Sequence, residues 1–230
     1  MKTNDRYWVR RMMVVMVIFP FHLFTLSPLS AQPSWAKKAT KSVFTLKTFA
    51  ADGSLIASSN GFFTGSNGEA VSSFSPFKGA SRAVIIDAQG KETPVVSILG
   101  ANDIYDVVRF RVANNKTQPL PICSTTMPEG SMVWLLPYHE TKQLYSGPIR
   151  KAEQFMENYA YYTVALASPQ HTESCPLLNE EGEVIGLIQP SANLQDTLSY
   201  AISVVFVDSL RMTGFSMNDP VFQQTQIKKE

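Results

Sequence analysis

The sequence has few residues of the kinds that most often hold metals or form crosslinks. Its 230 residues include three histidines and two cysteines. His22, His139 and His171 do not stand at a spacing typical of metal ligands, so neither a metal site nor a cofactor is predicted. Cys123 and Cys175 are too few for a disulfide framework, and whether they pair with each other is left open. If they do not pair, we expect both to be small apolar side chains in a core.

The chain also lacks an excess of charge of either sign. It contains 20 lysines and arginines against 19 aspartates and glutamates, a formal net charge of +1. Proteins that bind nucleic acid usually present a basic face, so no nucleic-acid partner is predicted. With 44% hydrophobic and 17% charged residues, the composition is that of an ordinary globular protein with one large domain or two small ones.

Long apolar runs are scarce, and the longest one lies at the N-terminus. Residues 12–26 are apolar but interrupted by Pro20 and His22, and they are short for a membrane span, which takes about 20 residues. Basic residues precede this run, and the small residues of Leu29-Ser30-Ala31 follow it. We therefore expect residues 1–31 to be a secretory signal peptide, with a second cleavage site at Ser34-Trp35-Ala36 as the alternative. The mature chain is then exported to the periplasm, the extracellular space or the cell surface, with no stable membrane span; an uncleaved anchor is the other interpretation.

From residue 32 onwards, the sequence is a series of short apolar runs separated by turn residues. Asp52-Gly53, Ser66-Asn67-Gly68, Gln89-Gly90 and Glu181-Gly182 are typical of hairpins, because these residues accept positive φ. Such spacing favours an all-β barrel or sandwich, and only residues 206–212 have some helical character. The predicted strands cover residues 42–49, 60–64, 70–74, 83–87, 94–99, 107–112, 132–136, 144–152, 159–166, 175–178, 184–189 and 198–205.

Residues 165–187, ALASPQHTESCPLLNEEGEVIGL, resemble the segment that carries the nucleophilic serine in trypsin-like serine proteases of the HtrA type. That frame reads roughly A-x-x-x-G-N-S-G-G-P-L-x-N-x-x-G-E-V-I-G, and Pro176, Leu177, Asn179 and residues 182–186 fit it without a gap. Weaker matches follow in the correct order: NGFF at 60–63 with G-S-G-F-x-I, AVSSFSP at 70–76 with I-L-T-N-x-H-V, LGANDIYDVVRFRV at 99–112 with V-G-x-D-x-x-x-D-L-A-V-L-K-V, and LSYAI at 198–202 with F-A-I-P.

The resemblance implies the chymotrypsin-type fold of the PA clan: two six-stranded antiparallel β-barrels with a short C-terminal helix. The expected boundaries are a linker at 32–41, a first barrel at 42–113 and a connection at 114–121. A second barrel follows at 122–212, and residues 213–230 are a polar tail or a linker to a further domain.

The resemblance also places the catalytic positions, and two of the three are occupied by the wrong residue. Ser75 stands where the family has histidine, Asp106 where it has aspartate, and Glu173 where it has serine; a shift of one residue would put Ser174 there instead. His171 and Glu173 occupy the oxyanion-hole positions. Because a serine hydroxyl is not a base near neutral pH, Ser75 removes the general base, and proteolysis is predicted to be lost.

We call residues 171–175 the site segment, because they correspond to the family's residues around the nucleophile. The glycines of this segment are replaced as well, by His171, Ser174 and Cys175, so the tight turn of the oxyanion hole is not expected to persist. Without imidazole, Asp106 is expected to hydrogen-bond Ser75 or backbone amides. Glu173 has two interpretations: an exposed loop carboxylate, or an anion that plugs the former oxyanion hole.

These observations predict a pseudoprotease homologue that works by binding a peptide or protein, through strand addition in the cleft between the barrels or at a strand edge. Two alternatives stay open: an active serine endopeptidase with a non-standard site, and a structural module that positions a further C-terminal domain. Neither the ligand nor the oligomeric state is predicted.

Overall fold

The computed structural model describes residues 32–114, 116–138, 144–154, 160–167, 170–190, 197–205, 207 and 210. Within these ranges, twelve antiparallel strands form two closed barrels, with the strand order β1-β2-β3-β6-β5-β4 in the first and β10-β11-β12-β9-β8-β7 in the second. The prediction of two six-stranded antiparallel barrels is confirmed. The strands are β1 (Val43–Phe49), β2 (Leu55–Phe63), β3 (Glu69–Ser72), β4 (Arg82–Ile86), β5 (Glu92–Asn102), β6 (Val107–Val112), β7 (Met132–Leu135), β8 (Tyr145–Gln154), β9 (Ala160–Val164), β10 (Pro176–Leu178), β11 (Val184–Ile188) and β12 (Ser199–Ser203).

Each predicted apolar run coincides with one of these strands, and the largest difference is at β2. This strand begins at Leu55 rather than at residue 60, because its backbone continues to pair with β1 down to the partners Phe49 and Leu55. Leu55 is 55% exposed, so the start of this strand lacks the buried apolar face by which a strand is recognised in a sequence. Most of residues 206–212, where a C-terminal helix is predicted, lie outside the described residues.

The segment predicted as a linker, residues 32–41, contains a one-turn helix, α1 (Ala36–Ala39). Ala36 and Ala39 are three residues apart and therefore share one face, which is buried, while the two lysines between them are exposed. This helix packs against the rest of the fold through Ala39, which belongs to the core between the barrels, and the boundaries of the linker stay a prediction. A single helical turn with two buried alanines is too short for its periodicity to be recognised in a sequence.

Among the described residues, three groups of buried apolar side chains hold the fold together. One fills the first barrel, with Phe44, Phe77 and Phe110 among its largest members. A second fills the other barrel around Tyr162, whose hydroxyl accepts a hydrogen bond from the Met127 backbone N–H. The third lies between the barrels and combines Val43, Phe62, Val71 and Val107 from the first with Leu136, Leu178, Val184, Leu187 and Ile202 from the second. This shared core fixes the two barrels relative to each other.

An ionic cluster joins β3 to β6 on the first barrel. The Glu69 carboxylate accepts hydrogen bonds from Arg109 at 2.6 Å and from Arg111 at 2.9 Å. Burial raises the pKa of Glu69, but the hydrogen bonds from Arg109, Arg111 and Asn67 outweigh it and lower that pKa to about 2. The carboxylate is therefore ionised at neutral pH and stabilises the pairing of the two strands.

Across the described ranges, no helix is long and apolar enough to cross a membrane.

Candidate functional site

The structure brings Ser75 and Asp106 into direct contact. Ser75 begins a turn of 3₁₀ helix, Ser75–Phe77, shortly after β3, and Asp106 lies immediately before β6. The Ser75 hydroxyl and the Ser75 backbone N–H both donate to Asp106 Oδ1, each at 2.6 Å. The Phe74 N–H adds a bond to the Asp106 backbone carbonyl at 3.3 Å. The two positions that the resemblance assigns to histidine and aspartate are thus neighbours, and they are linked by a hydroxyl instead of an imidazole.

This pair ties the turn after β3 to the turn before β6. Lys78 forms an ion pair with Asp103, which makes a second link between the same two segments. The Asn102 side chain accepts hydrogen bonds from the N–H groups of Ile104 and Tyr105, and so closes the second turn on itself. The pair therefore supplies a structural connection between the two segments, and a serine hydroxyl, unlike an imidazole, does not take up a proton near neutral pH.

The backbone of the site segment keeps the conformation that glycine favours, although it contains no glycine between residues 170 and 175. His171 has φ +60° and Ser174 has φ +64°, both in the left-handed region. These are two of the three positions at which the protease frame has glycine, the residue that adopts positive φ without steric cost. The left-handed backbone is therefore kept at these two positions without glycine, and the loss of the oxyanion hole stays a prediction. Other contacts must offset a cost of about 1–2 kcal/mol for each left-handed residue.

Asn60, on β2 of the first barrel, supplies two of those contacts. Its side-chain amide donates to the carbonyls of His171 and Glu173, at 2.8 and 3.0 Å. Asn60 is only 6% exposed, and its own carbonyl accepts a hydrogen bond from the Ser72 hydroxyl. A buried amide that bonds two carbonyls of the opposite barrel fixes the site segment from the side of the first barrel.

Ser174 lies in a buried group of three hydroxyls. Its Oγ donates to Ser73 Oγ at 2.6 Å and lies 2.8 Å from Ser59 Oγ. Ser174 is completely buried, while Ser59 and Ser73 are 7% and 4% exposed. None of these three side chains carries a group that accepts a proton near neutral pH.

Ser59, Asn60 and Ser73 were not among the residues selected from the sequence. A weak signal existed, since all three are polar residues inside or next to apolar runs, and NGFF at 60–63 is part of the resemblance. Their partners lie more than 100 residues away along the chain, and a single sequence gives no indication of such pairs.

Glu173 is half-buried, and its position favours the interpretation as a loop carboxylate. Its backbone carbonyl is held by Asn60, but none of the described residues donates a hydrogen bond to its carboxylate. A carboxylate that plugged an oxyanion hole would accept bonds from backbone N–H groups of the same turn. In that turn, the Ser174 N–H bonds to the Ile188 carbonyl and the Cys175 N–H to the Thr172 carbonyl.

The two cysteines are buried free thiols, so the disulfide that the sequence left open is not formed. Cys123 Sγ lies 3.3 Å from the Thr125 carbonyl. Burial raises the pKa of Cys175 to about 12, and the negative charge of Glu173 contributes to that increase. Because the thiolate is the nucleophile, Cys175 is unreactive at neutral pH. No group of three or more His, Cys, Asp or Glu residues that could hold a metal ion occurs in the described part of the chain.

Two exposed apolar side chains, Ile104 and Tyr161, belong to the surroundings of Asp106. Ile104, in the turn before β6, is 84% exposed, and Tyr161 on β9 of the second barrel is 37% exposed. Partial burial raises the pKa of Tyr161, and the charges of Tyr105 and Asp106 raise it further, which places these groups near one another. Each barrel thus presents one of these exposed apolar side chains, Ile104 from the first and Tyr161 from the second.

No protein-family model matches the sequence, and neither does any curated protein sequence. The fold is found in solved structures. The chain is similar to the Rv3671c protease from M. tuberculosis in its active form, with a TM-score of 0.66, 14% identity, and coverage of 82% of this chain and 89% of that one. An inactive form of the same protease with its serine replaced by alanine gives a TM-score of 0.63 at 16% identity, covering 78% and 89%. The serine endoprotease from Yersinia pestis gives 0.65 at 15% identity, covering 77% and 64%. At these identities the likeness establishes the fold, which is that of trypsin-like serine proteases.

Proposed function

From a fold shared with trypsin-like serine proteases, we propose that this chain is an exported pseudoprotease domain that binds a peptide or protein in the cleft between its barrels. The observation that carries the proposal is the 2.6 Å hydrogen bond from the Ser75 hydroxyl to Asp106. At this position a protease of this fold needs an imidazole, which accepts the proton of the nucleophile while the aspartate orients it. A hydroxyl satisfies the aspartate without replacing the base.

The nucleophile is absent for a separate reason. Glu173 has no hydroxyl, and the neighbouring Ser174 is fully buried and bonded to two other serines. Removing one member of a triad leaves a residual acceleration of about 10³–10⁴ over water when the oxyanion hole is intact. Here two members are replaced, so we expect peptide hydrolysis below the level detected in ordinary protease assays.

A role in binding is supported by what the cleft retains. The left-handed conformations of His171 and Ser174 carry a steric cost, yet Asn60 and the serine group hold them in place. A turn kept in a costly conformation is consistent with a surface that has to fit a ligand. The exposed Ile104 and Tyr161 provide apolar contacts for the side chains of an extended peptide, whose backbone can pair with a strand.

Export follows from the N-terminal sequence and stays a prediction, because residues 1–31 lie outside the described residues. The boundaries of the two barrels and the role of residues 213–230 as a tail or linker likewise stay predictions, which we retain in this proposal.

Selection of peptides on the purified chain of residues 32–230 tests the binding function. Peptides from a displayed random library would be measured against the wild type and against Ser75→Trp, which places a large side chain at the exposed start of the 3₁₀ turn beside Asp106. Ser66→Trp is the matched control, since Ser66 is an exposed serine in the turn between β2 and β3. We expect selected peptides to bind the wild type and the control equally and to bind Ser75→Trp at least about tenfold more weakly, a loss of about 1.4 kcal/mol. Selection of no peptides, or equal binding to all three proteins, would contradict the proposed function.

A further inference from the structure

The segment before the first strand is attached to the opposite barrel. Trp35, eight residues before the start of β1, donates a hydrogen bond from its indole Nε1 to the Glu180 carbonyl at 2.9 Å. Glu180 lies in the turn between β10 and β11. The indole ring also meets the edge of Trp134 on β7, with ring centroids 6.4 Å apart and planes at 88°. The segment that leads into the first barrel is therefore held, through the Trp35 side chain, by two parts of the second barrel.

Gly182 shows how closely the indole packs on this turn. A Cβ at Gly182 would lie 2.6 Å from Trp35 Cγ, a distance that real Cβ atoms do not show. Gly182 has φ +81°, so both its conformation and its neighbour favour glycine. On the other side of Trp35, Ala36 and Ala39 are 2% and 3% exposed, and Ala39 belongs to the core between the barrels.

The turn that Trp35 contacts is connected directly to the candidate site. It follows β10, a strand of only three residues whose other end continues the segment of residues 171–175. Asn179 and Glu183 close the turn, since the Asn179 side chain accepts a bond from the Glu183 N–H at 2.8 Å and donates one to its carboxylate at 2.9 Å. A displacement of this turn would thus be passed to the site segment along one short strand.

We propose that residues 32–39 form a clasp that positions the site segment, and that leader removal cuts the Ala31–Gln32 bond so that the mature chain keeps this clasp. The cleavage half of the proposal rests on the proposed export. In that step water is added across the amide bond, which leaves a carboxylate on Ala31 and an amino group on Gln32, and an export leader peptidase performs it. Cutting at the second small-residue site, after Ala36, would remove Trp35 and its contacts. Because Ala36 is buried in the folded domain, a peptidase can reach that site only before folding.

The cleavage is tested by expressing the full 230-residue chain in a secreting bacterium and measuring the intact mass and N-terminal sequence of the exported protein. We expect a chain that begins at Gln32. A folded exported protein that begins at Lys37 would overturn the proposal. A chain that stays in the cell uncleaved would refute export and the cleavage together, and the role of the clasp is tested independently on the purified chain of residues 32–230.

That second test is a double-mutant cycle between Trp35→Ala and Gly182→Ala. Gly130→Ala is the matched control, because Gly130 also has positive φ, at +86°, but its Cβ would meet nothing within 4 Å. We expect Gly182→Ala to lower the folding equilibrium constant at least about tenfold more than Gly130→Ala, and we expect this excess to disappear in the Trp35→Ala background. An excess that persists without Trp35, or no excess at all, would show that the indole does not pack on the turn.

The link to the site is tested by hydrogen exchange. The N–H groups of Ser174 and Cys175 are bonded to the carbonyls of Ile188 and Thr172, so both should exchange slowly in the wild type. In Trp35→Ala we expect their exchange to be at least about tenfold faster, while the amide of Leu46 in the first barrel is unchanged. Trp35→Phe, which keeps a ring but loses the indole N–H, should be intermediate and serves if the alanine variant does not fold. Unchanged exchange at Ser174 and Cys175 in Trp35→Phe and in any folded Trp35→Ala would overturn the positioning role.

Discussion

Replacing Asp106 should destabilise the fold by an amount set by its two hydrogen bonds with Ser75. Both bonds are 2.6 Å long and end on the same carboxylate oxygen. A bond to a charged group contributes about 1.5–3 kcal/mol when buried, and about 1 kcal/mol is appropriate here because Ser75 is exposed. Asp106 also has φ +52°, which aspartate tolerates better than alanine does. We therefore expect Asp106→Ala to lower the free energy of unfolding by about 2–3 kcal/mol.

Two milder variants separate the contributions. Asp106→Asn keeps an acceptor oxygen and a residue that tolerates positive φ, so a loss of about 0.5–1 kcal/mol is expected. Ser75→Ala removes one of the two bonds and should cost about 1 kcal/mol in the wild type and nearly nothing in the Asp106→Ala background.

Urea unfolding followed by circular dichroism measures these differences, provided that the slope with denaturant stays constant. If Asp106→Ala is as stable as the wild type, the pair does not tie the two turns together. The same conclusion follows if Ser75→Ala lowers the free energy of unfolding equally in the wild type and in the Asp106→Ala background.

Three further predictions follow from other parts of the structure. The pKa of Glu69 is lowered from 4.5 to about 2, so its stabilising contribution is complete above pH 4.5 and is lost as the pH falls towards 2. Glu69→Gln should lower the free energy of unfolding by roughly 2 kcal/mol at pH 7 and make that free energy less dependent on pH between pH 5 and 2. An unchanged pH dependence would contradict this. His171→Gly should stabilise the chain by about 0.5–1 kcal/mol, because glycine relieves the left-handed strain, whereas the matched Ser66→Gly in an exposed turn without positive φ should destabilise it in the same urea assay. Cys123 and Cys175 should not react with a thiol reagent in the native state and should both react after denaturation, since both are buried and free; native reactivity of either would contradict their burial.

The sequence predicted the barrels well because their signals are local. Glycines at hairpin turns, such as Gly53 and Gly68, adopt the positive φ that the pattern required, and the apolar runs between the turns became the strands. The contact between Ser75 and Asp106 was also predictable, since it followed from two matches to the same family frame. These features depend on short segments whose residue types are sufficient to identify them.

The contacts that hold the site segment were not predictable in the same way. The bond from Asn60 to Glu173 spans 113 residues and joins a strand of one barrel to a turn of the other. The left-handed backbone at His171 persists although glycine is absent, because such tertiary contacts offset its strain. The packing of Trp35 on Gly182 likewise depends on how the two barrels are arranged, and a segment interpreted as a linker gave no sign of it.

The most direct test of the account is labelling of the purified chain of residues 32–230 with a fluorophosphonate, beside casein cleavage at neutral pH. Trypsin treated in parallel is the positive control, and circular dichroism confirms that the sample is folded. Neither labelling nor cleavage is predicted, because the base position holds Ser75, Glu173 has no hydroxyl, and the hydroxyl of the neighbouring Ser174 is buried among serines. Stoichiometric labelling that maps to Ser174 or Ser75, together with casein cleavage, would contradict this prediction and establish an active serine endopeptidase.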